Sequence, residues 1–302
     1  MVWRDERVLL FDCLEFSENL RWIDTMSEVA ILTMDLDDRG RADLTHRALN
    51  AYLEHTGDYE GLAVFRFYQV YRALVRAKVA CIRLSQNALG DDEKKRTRDE
   101  YLGYANLAER YTQTPRTTLI ITHGLSGSGK TRLSQQLLES LGAIRLRSDV
   151  ERKRLHGLAP HARSGSGIDS GIYTAEAGRR TYARLAELAR EILRSGYTVI
   201  VDAAFLKRGQ RDQFRAVAEK MRVPFVILDV QASEPVLRQR LQQRGRQLRE
   251  ASEADLTVLN RQLAAREPLT VDEQRAALNV DGGASTDIAV LVQKLRARFG
   301  AM

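Results

Sequence analysis

Cysteine is nearly absent from this 302-residue chain, which carries only Cys13 and Cys81. Two cysteines in apolar-patterned segments exclude a disulfide framework and the C-x-x-C spacing of a zinc site. A reducing cytoplasm is the compartment that fits such usage. Long apolar runs are lacking as well. None approaches the roughly 18 residues that cross a bilayer, so no membrane partner is expected. The opening residues, Met1-Val2-Trp3-Arg4-Asp5-Glu6-Arg7, put charges where a secretion signal needs an apolar core. Aromatic residues reach only 7% and are not interleaved with basic ones, so no nucleic-acid track is spelled out. No internal repeat is visible.

What is present points to a folded protein of two domains. Apolar residues make up 44% and charged residues 29%. The net charge of +7 is unevenly spread: residues 1–116 hold 17 basic and 20 acidic side chains, and the remainder hold 30 and 20. A basic second half calls for an anionic partner such as a nucleotide, a phosphorylated substrate or nucleic acid.

The first half reads as one strand, Arg7–Asp12, followed by helices near 24–36, 44–56, 59–86 and 93–111. Residues 1–112 form a helical domain in this reading, and Gln113-Thr114-Pro115-Arg116 is a linker. From 117 to 302 strands and helices alternate. Strands are expected at 118–122, 143–147, 197–202, 224–230 and 277–280, with helices between them and a last one near 286–299. Such alternation argues for a three-layer α/β fold, a parallel sheet covered by helices on both faces. Ligands of such sheets bind at the carboxyl ends of the strands.

The chemistry begins at Gly124-Leu125-Ser126-Gly127-Ser128-Gly129-Lys130-Thr131, a full match to G-x-x-x-x-G-K-[ST] between a strand and a helix. Glycines let backbone amides turn inward around phosphate oxygens. The helix N-terminus adds roughly half a positive charge. Lys130 is placed to bridge the outer phosphates of ATP, and the Thr131 hydroxyl to hold magnesium.

Two acids fall at neighbouring strand ends. Asp149 ends the second strand and is a candidate base toward an attacking hydroxyl. Arg152, one helical turn later, shares its face and is a candidate anion contact. Asp202 ends the third strand, where it would support the metal. Arg238, Arg240, Arg244, Arg246 and Arg249 crowd the stretch after the fourth strand. Arg240 and Arg244 share a helix face and are expected to close over ATP as part of a lid, with Arg244 stabilising the transferred phosphoryl group. The segment 158–173 is expected to form the acceptor pocket.

Four motifs carry a resemblance: GLSGSGKT (124–131), SDVER (148–152), VIVDA (199–203) and RQRLQQRGR (238–246). Over 117–269 the chain resembles P-loop kinases related to polynucleotide kinase, zeta toxin and gluconate kinase, with an AAA-type ATP-binding domain. The resemblance implies a five-stranded parallel sheet in the order 2-3-1-4-5, ATP and Mg2+ as cofactors, and phosphorylation of a hydroxyl. The first half looks like the end of an aminoglycoside-phosphotransferase-type kinase lobe, on VLLFDCLEF (8–16), LRWID (20–24) and YRALVRAK (71–78). Asp12 matches that family's metal-binding acid. Its nucleotide lobe, its lysine and its H-G-D loop would lie before Met1, which implies an upstream lobe if the chain is a fragment. The expected activity is ATP-dependent phosphorylation of a small molecule or sugar. A 5′-hydroxyl polynucleotide kinase and an ATP-gated regulatory module are the alternatives.

Overall fold

The structure, a computed structural model, describes residues 2–9, 17–86, 89–113, 115–167, 170–244, 252 and 254–299. It opens with a hairpin of β1 (Val2–Arg4) and β2 (Arg7–Leu9). The hairpin turns on Asp5 and Glu6, whose φ values of 51° and 58° are the left-handed pair that a two-residue connection needs. The expected first strand is therefore one arm of a hairpin over Arg7–Leu9, while Asp12 and Cys13 lie outside the described residues. Helices follow: α1 (Glu18–Arg21), α2 (Thr25–Asp38), α3 (Ala42–Thr56), α4 (Leu62–Leu84) and α5 (Asp91–Thr112). Asp24 caps α2 by accepting from the Met26 amide at 2.9 Å. Gly57, at φ 79°, ends α3 in the left-handed form that favours glycine.

The α/β part runs β3 (Leu119–His123), α6 (Lys130–Leu141), β4 (Ile144–Arg147), α7 (Ser148–Leu155), α8 (Ala175–Arg194), β5 (Val199–Asp202), α9 (Arg208–Met221), β6 (Phe225–Gln231), α10 (Glu234–Arg244), α11 (Leu256–Ala265), α12 (Val271–Ala276), β7 (Ala277–Asp281) and α13 (Ile288–Phe299). The strands pair in parallel in the order β4-β5-β3-β6-β7. In the numbering of this part alone that is 2-3-1-4-5, the order expected.

Side chains alternate across a strand, so each strand feeds two cores. Leu119, Ile121, Val199, Val201 and Ile227 face one way, and Ile120, Ile200, Val226 and Leu228 the other. The second set packs on Leu133 and Leu137 of α6 and on Leu291 and Leu295 of α13. The first set packs on α8 and α9, but also on Met26, Leu49, Leu53, Leu62 and Phe65 of the N-terminal helices. The helical layer thus shares a continuous apolar core with the sheet. A third cluster, including Met34, Ala73, Tyr104 and Leu107, binds α2, α4 and α5 to one another.

Polar contacts fix how the two parts meet. Arg66 donates to the Gly196 carbonyl at 2.7 Å and stacks 4.6 Å over the Tyr197 ring. A parallel sheet leaves an open edge at β4, and Asn50 of α3 closes it. Its carbonyl oxygen accepts from the Arg145 amide at 2.7 Å, and its NH2 donates to the Ala143 carbonyl at 3.0 Å. Asn50 thereby imitates one rung of a neighbouring strand. Asn50→Ala would leave two buried backbone groups without partners, at about 1–3 kcal/mol each. Chemical denaturation followed by circular dichroism should show a loss of about 2–4 kcal/mol. An unshifted midpoint would mean that Asn50 does not hold this edge.

Candidate active site

The loop from β3 to α6 folds as a phosphate cradle because glycine occupies its strained positions. Gly124, Gly127 and Gly129 have φ of 143°, 85° and 100°. A Cβ on Gly124 would lie 2.3 Å from the Val230 carbonyl oxygen, so no larger residue fits there. The first turn of α6 leaves its amides without helical partners, at the mouth of this loop. The Lys130 ammonium donates to the carbonyls of Gly124 and Leu125 at 2.9 and 2.7 Å. It lies 3.5 Å from Ser128 Oγ.

Parallel pairing then sets charged groups side by side. Arg147 ends β4 in register with Asp202, which ends β5. Asp202 is buried, accepts from Ser134 Oγ at 3.4 Å, and lies 4.0 Å from Arg147 Nε. The chain passes directly from Arg147 into α7, so Asp149 sits in the first turn of a helix and not at a strand end. Two acids in that turn, Asp149 and Glu151, suit the positive end of the helix. Arg152 lies one turn on, its NH1 3.1 Å from Asp149 Oδ1 and its guanidinium 5.2 Å over the Tyr173 ring. Its Nε is buried without a hydrogen-bond partner. Burial pushes the neighbouring Tyr182 phenol up to about 12, so it stays neutral, accepting from the Phe205 amide at 3.3 Å.

A cavity of about 700 Å³ brings most of these groups together. Ser126, Gly127, Gly129, Lys130 and Thr131 form its loop side. Asp149 and Arg152 of α7 and Asp202 at the end of β5 form the opposite side, and Ser166, Gly167 and Tyr173 belong to the segment expected to meet the acceptor. Gly124, Leu125 and Ser128 instead line a second cavity of about 670 Å³ behind the loop. Leu125 is buried there in a cluster with Leu237, Leu241 and Leu259. Arg240 also lies outside the main cavity. It donates to the Gly127 carbonyl at 3.2 Å and lines a smaller space of about 250 Å³ with Gly129, Gln243 and Gly282. Arg244 is the last residue of α10, and its side chain lies outside the described residues, as do Arg246 and Arg249 altogether.

Thr131 and Asp202 offer a hydroxyl and a carboxylate to one space, the hard oxygen donors that Mg2+ accepts. Among the described residues no cluster of three or more His, Cys, Asp or Glu is arranged to hold a metal. A sparse donor set of this kind fits a cation that takes one or two protein ligands and leaves the rest to phosphate and water. No helix among the described residues is long and apolar enough to cross a membrane.

Several residues of the site escaped the sequence reading. Among the described residues, α11 lines the cavity through Val258, Arg261 and Gln262. Leu259 of α11 is fully buried against Leu125 and anchors that helix over the loop. Gln262 Oε1 accepts from the Ser126 amide at 2.8 Å. Arg145 and Arg147 face the cavity from β4, and Glu54 of α3 accepts from both, at 3.1 and 2.8 Å. Their signal was present: charges at alternate positions in a buried strand must share one face and need a partner.

Residues 119–269 match the family model described as an AAA domain. A 217-residue stretch, 72% of the chain, is 32% identical to an uncharacterised protein of Mycobacterium tuberculosis and to one of Mycobacterium bovis, covering 42% of each. The chain therefore spans less than half the length of these curated relatives. The matched stretch is longer than the α/β part, so it reaches into the N-terminal helices. Among solved structures, a putative kinase from Chloroflexus aurantiacus is similar at 23% identity over 62% of this chain and 99% of that one, with a TM-score of 0.47. A sugar kinase from Janibacter is similar at 21% over 61% and 94%, with a TM-score of 0.44.

The Ser126 amide must leave Gln262 before it can donate to a phosphate. Gln262→Ala should tighten ATP binding by roughly fivefold in calorimetry, since one neutral hydrogen bond is worth about 1 kcal/mol. Weaker binding in this variant would mean that Gln262 assists the ligand instead of competing with it.

Proposed function

We propose, because the chain belongs to the AAA domain family, that it is an ATP- and Mg2+-dependent kinase acting on a hydroxyl of a small molecule or sugar. The observation that carries this reading is one cavity of about 700 Å³ in which a phosphate loop faces Asp149, Arg152 and Asp202. Its volume is that of a small-molecule site, which typically runs from about 300 to 1,000 Å³. A nucleic-acid acceptor would need a longer track with stacking platforms.

In this scheme the loop amides and Lys130 hold the triphosphate, and the nucleoside extends toward the smaller space beside Arg240. For this, Lys130 exchanges its contacts with the Gly124 and Leu125 carbonyls for phosphate oxygens. Asp202 and Thr131 would hold Mg2+, which when bound neutralises charge on the outer phosphates. The acceptor enters on the Asp149 side. Its oxygen forms the new bond to the γ-phosphorus, the bond to ADP breaks, and Asp149 takes the hydroxyl proton. The Arg152 guanidinium, 5.2 Å over the Tyr173 ring, keeps Asp149 oriented and offers charge to an anionic group of the acceptor. Arg244 would close from the end of α10. A cytoplasmic setting fits these substrates.

A screen of sugars, antibiotics and an oligonucleotide, scored by acceptor-dependent ADP release, tests the reading. One class of small hydroxylated acceptor should stimulate release, and Lys130→Ala should lower it by about 10²- to 10³-fold with the fold retained. Asp149→Asn should lower kcat by about 10²-fold or more while the KM for ATP holds. Undiminished transfer in the Lys130 variant would rule the scheme out. Nucleotide binding with no acceptor-dependent turnover would assign a regulatory module instead.

A further inference from the structure

The helical layer reaches into the site through one face of α3. His46, Asn50 and Glu54 recur every four residues and so lie in line along the helix. All three contact the α/β part. His46 Nδ1 lies 2.8 Å from the Glu139 carbonyl, Asn50 closes the β4 edge, and Glu54 takes both β4 arginines. Each oxygen of the Glu54 carboxylate has one guanidinium. Arg145, held by Oε2, reaches under the phosphate loop, with NH1 3.4 Å from the Thr131 carbonyl and 3.5 Å from Ser134 Oγ. Arg147, held by Oε1 at 2.8 Å, is the residue between Glu54 and Asp202.

Of the carboxylates that act on Arg147, Glu54 and Asp202 are the two strongest. Arg147 now makes a hydrogen bond to Glu54 and stands 4.0 Å from Asp202. Asp202 and Arg147 are in register on adjacent strands, so the guanidinium cannot move far from that acid. The hydrogen-bonded anion on α3 competes with Asp202 for this guanidinium, and Asp149 adds a weaker pull. The exchange takes place where little water screens it, since Asp202, Arg147 and Glu54 expose 5%, 11% and 16% of their side chains. Two guanidiniums outweigh the burial of Glu54 and hold its carboxyl below the usual range, so it is an anion at neutral pH.

We propose that Glu54 is a positioning residue: by holding Arg147, it keeps the Asp202 carboxylate available to a divalent cation. The inference rests on the kinase reading of the site and adds that the helical layer tunes its metal requirement. Removing the charge of Glu54 frees Arg147 to pair with Asp202, and an ion-paired carboxylate is a poorer metal ligand. The Glu54 carboxylate is held by Arg145 and Arg147 and not by the phosphate-loop amides that would meet nucleotide.

The test titrates MgCl2 against the full chain in the presence of a fluorescent ATP analogue and measures uptake of the analogue in EDTA. In Glu54→Gln the Mg2+ concentration for half-saturation should rise about tenfold, the usual scale for residues that orient a metal ligand. Affinity in EDTA should stay within twofold of the wild type. In Glu54→Gln/Arg147→Gln the half-saturation should return to the wild-type value, because the competing guanidinium is gone. Arg147→Gln alone, which keeps the Glu54–Arg145 pair, should not raise it. An unchanged Mg2+ requirement in Glu54→Gln overturns the inference. So does an equal loss in EDTA, a double variant that stays impaired, or a raised requirement in Arg147→Gln. A wild-type chain that takes up no Mg2+-dependent nucleotide overturns the kinase reading and this inference with it. A wild type that binds and a Glu54→Gln variant that matches it overturn the inference alone.

Discussion

The central β strands are buried on both faces, and this burial governs where charge can go. Between Leu119 and Ile121, Val199 and Val201, and Val226 and Leu228, every side chain is apolar and fully covered. A charge placed there would lose its hydration without recompense. Ionic groups therefore gather where the strands stop, and parallel pairing makes all of them stop on the same side. Arg147 faces Asp202 across one pair of strands, and His123 faces Asp229 across another, at 2.7 Å. The site is the region where the sheet's apolar rule ends.

The β4 edge is the exception. Here Arg145 is buried to 8% exposure inside a strand, which only a matched anion makes tolerable. That anion, Glu54, comes from the helical layer. Apolar packing of Leu49, Leu53 and Phe65 against the sheet, the Asn50 rung and the Glu54 pair act at the same contact. Each would be weak support alone. Together they join the helical layer to the α/β part at the strand that leads into α7 and the candidate base.

Much of this was legible in the sequence, and the reasons are local. The phosphate loop could be read because its backbone tolerates few spellings, and β5 and β6 because continuous Val-Ile-Leu runs have no other easy home. The helix starting at Lys130 followed from the same motif, and the strand order from the family resemblance. Asp149 was set on a strand because nothing in Arg147-Ser148-Asp149 marks the missing loop. Gln262 and Glu54 were invisible because their partners lie 136 and about 90 residues away in sequence. No periodicity reports a contact made by a side chain with a distant backbone amide or guanidinium.

Arg211 on α9 bears on how the lid can move. It is almost fully buried, with Nε 2.6 Å and NH2 3.1 Å from the two Glu273 oxygens, and its other hydrogens go to the carbonyls of Phe205, Glu267 and Pro268. The Glu267 side chain takes the Arg208 amide and Lys207 as well. The chain just after α11 is thus riveted to α9 and α12, while the helix itself packs through Leu259, Leu256 and Leu263, with Gln262 on the Ser126 amide and Asn260 on Arg238. A displacement of α11 that uncovered Ser126 would break the Leu259 packing and the Gln262 and Asn260 contacts before it strained the Arg211 rivet.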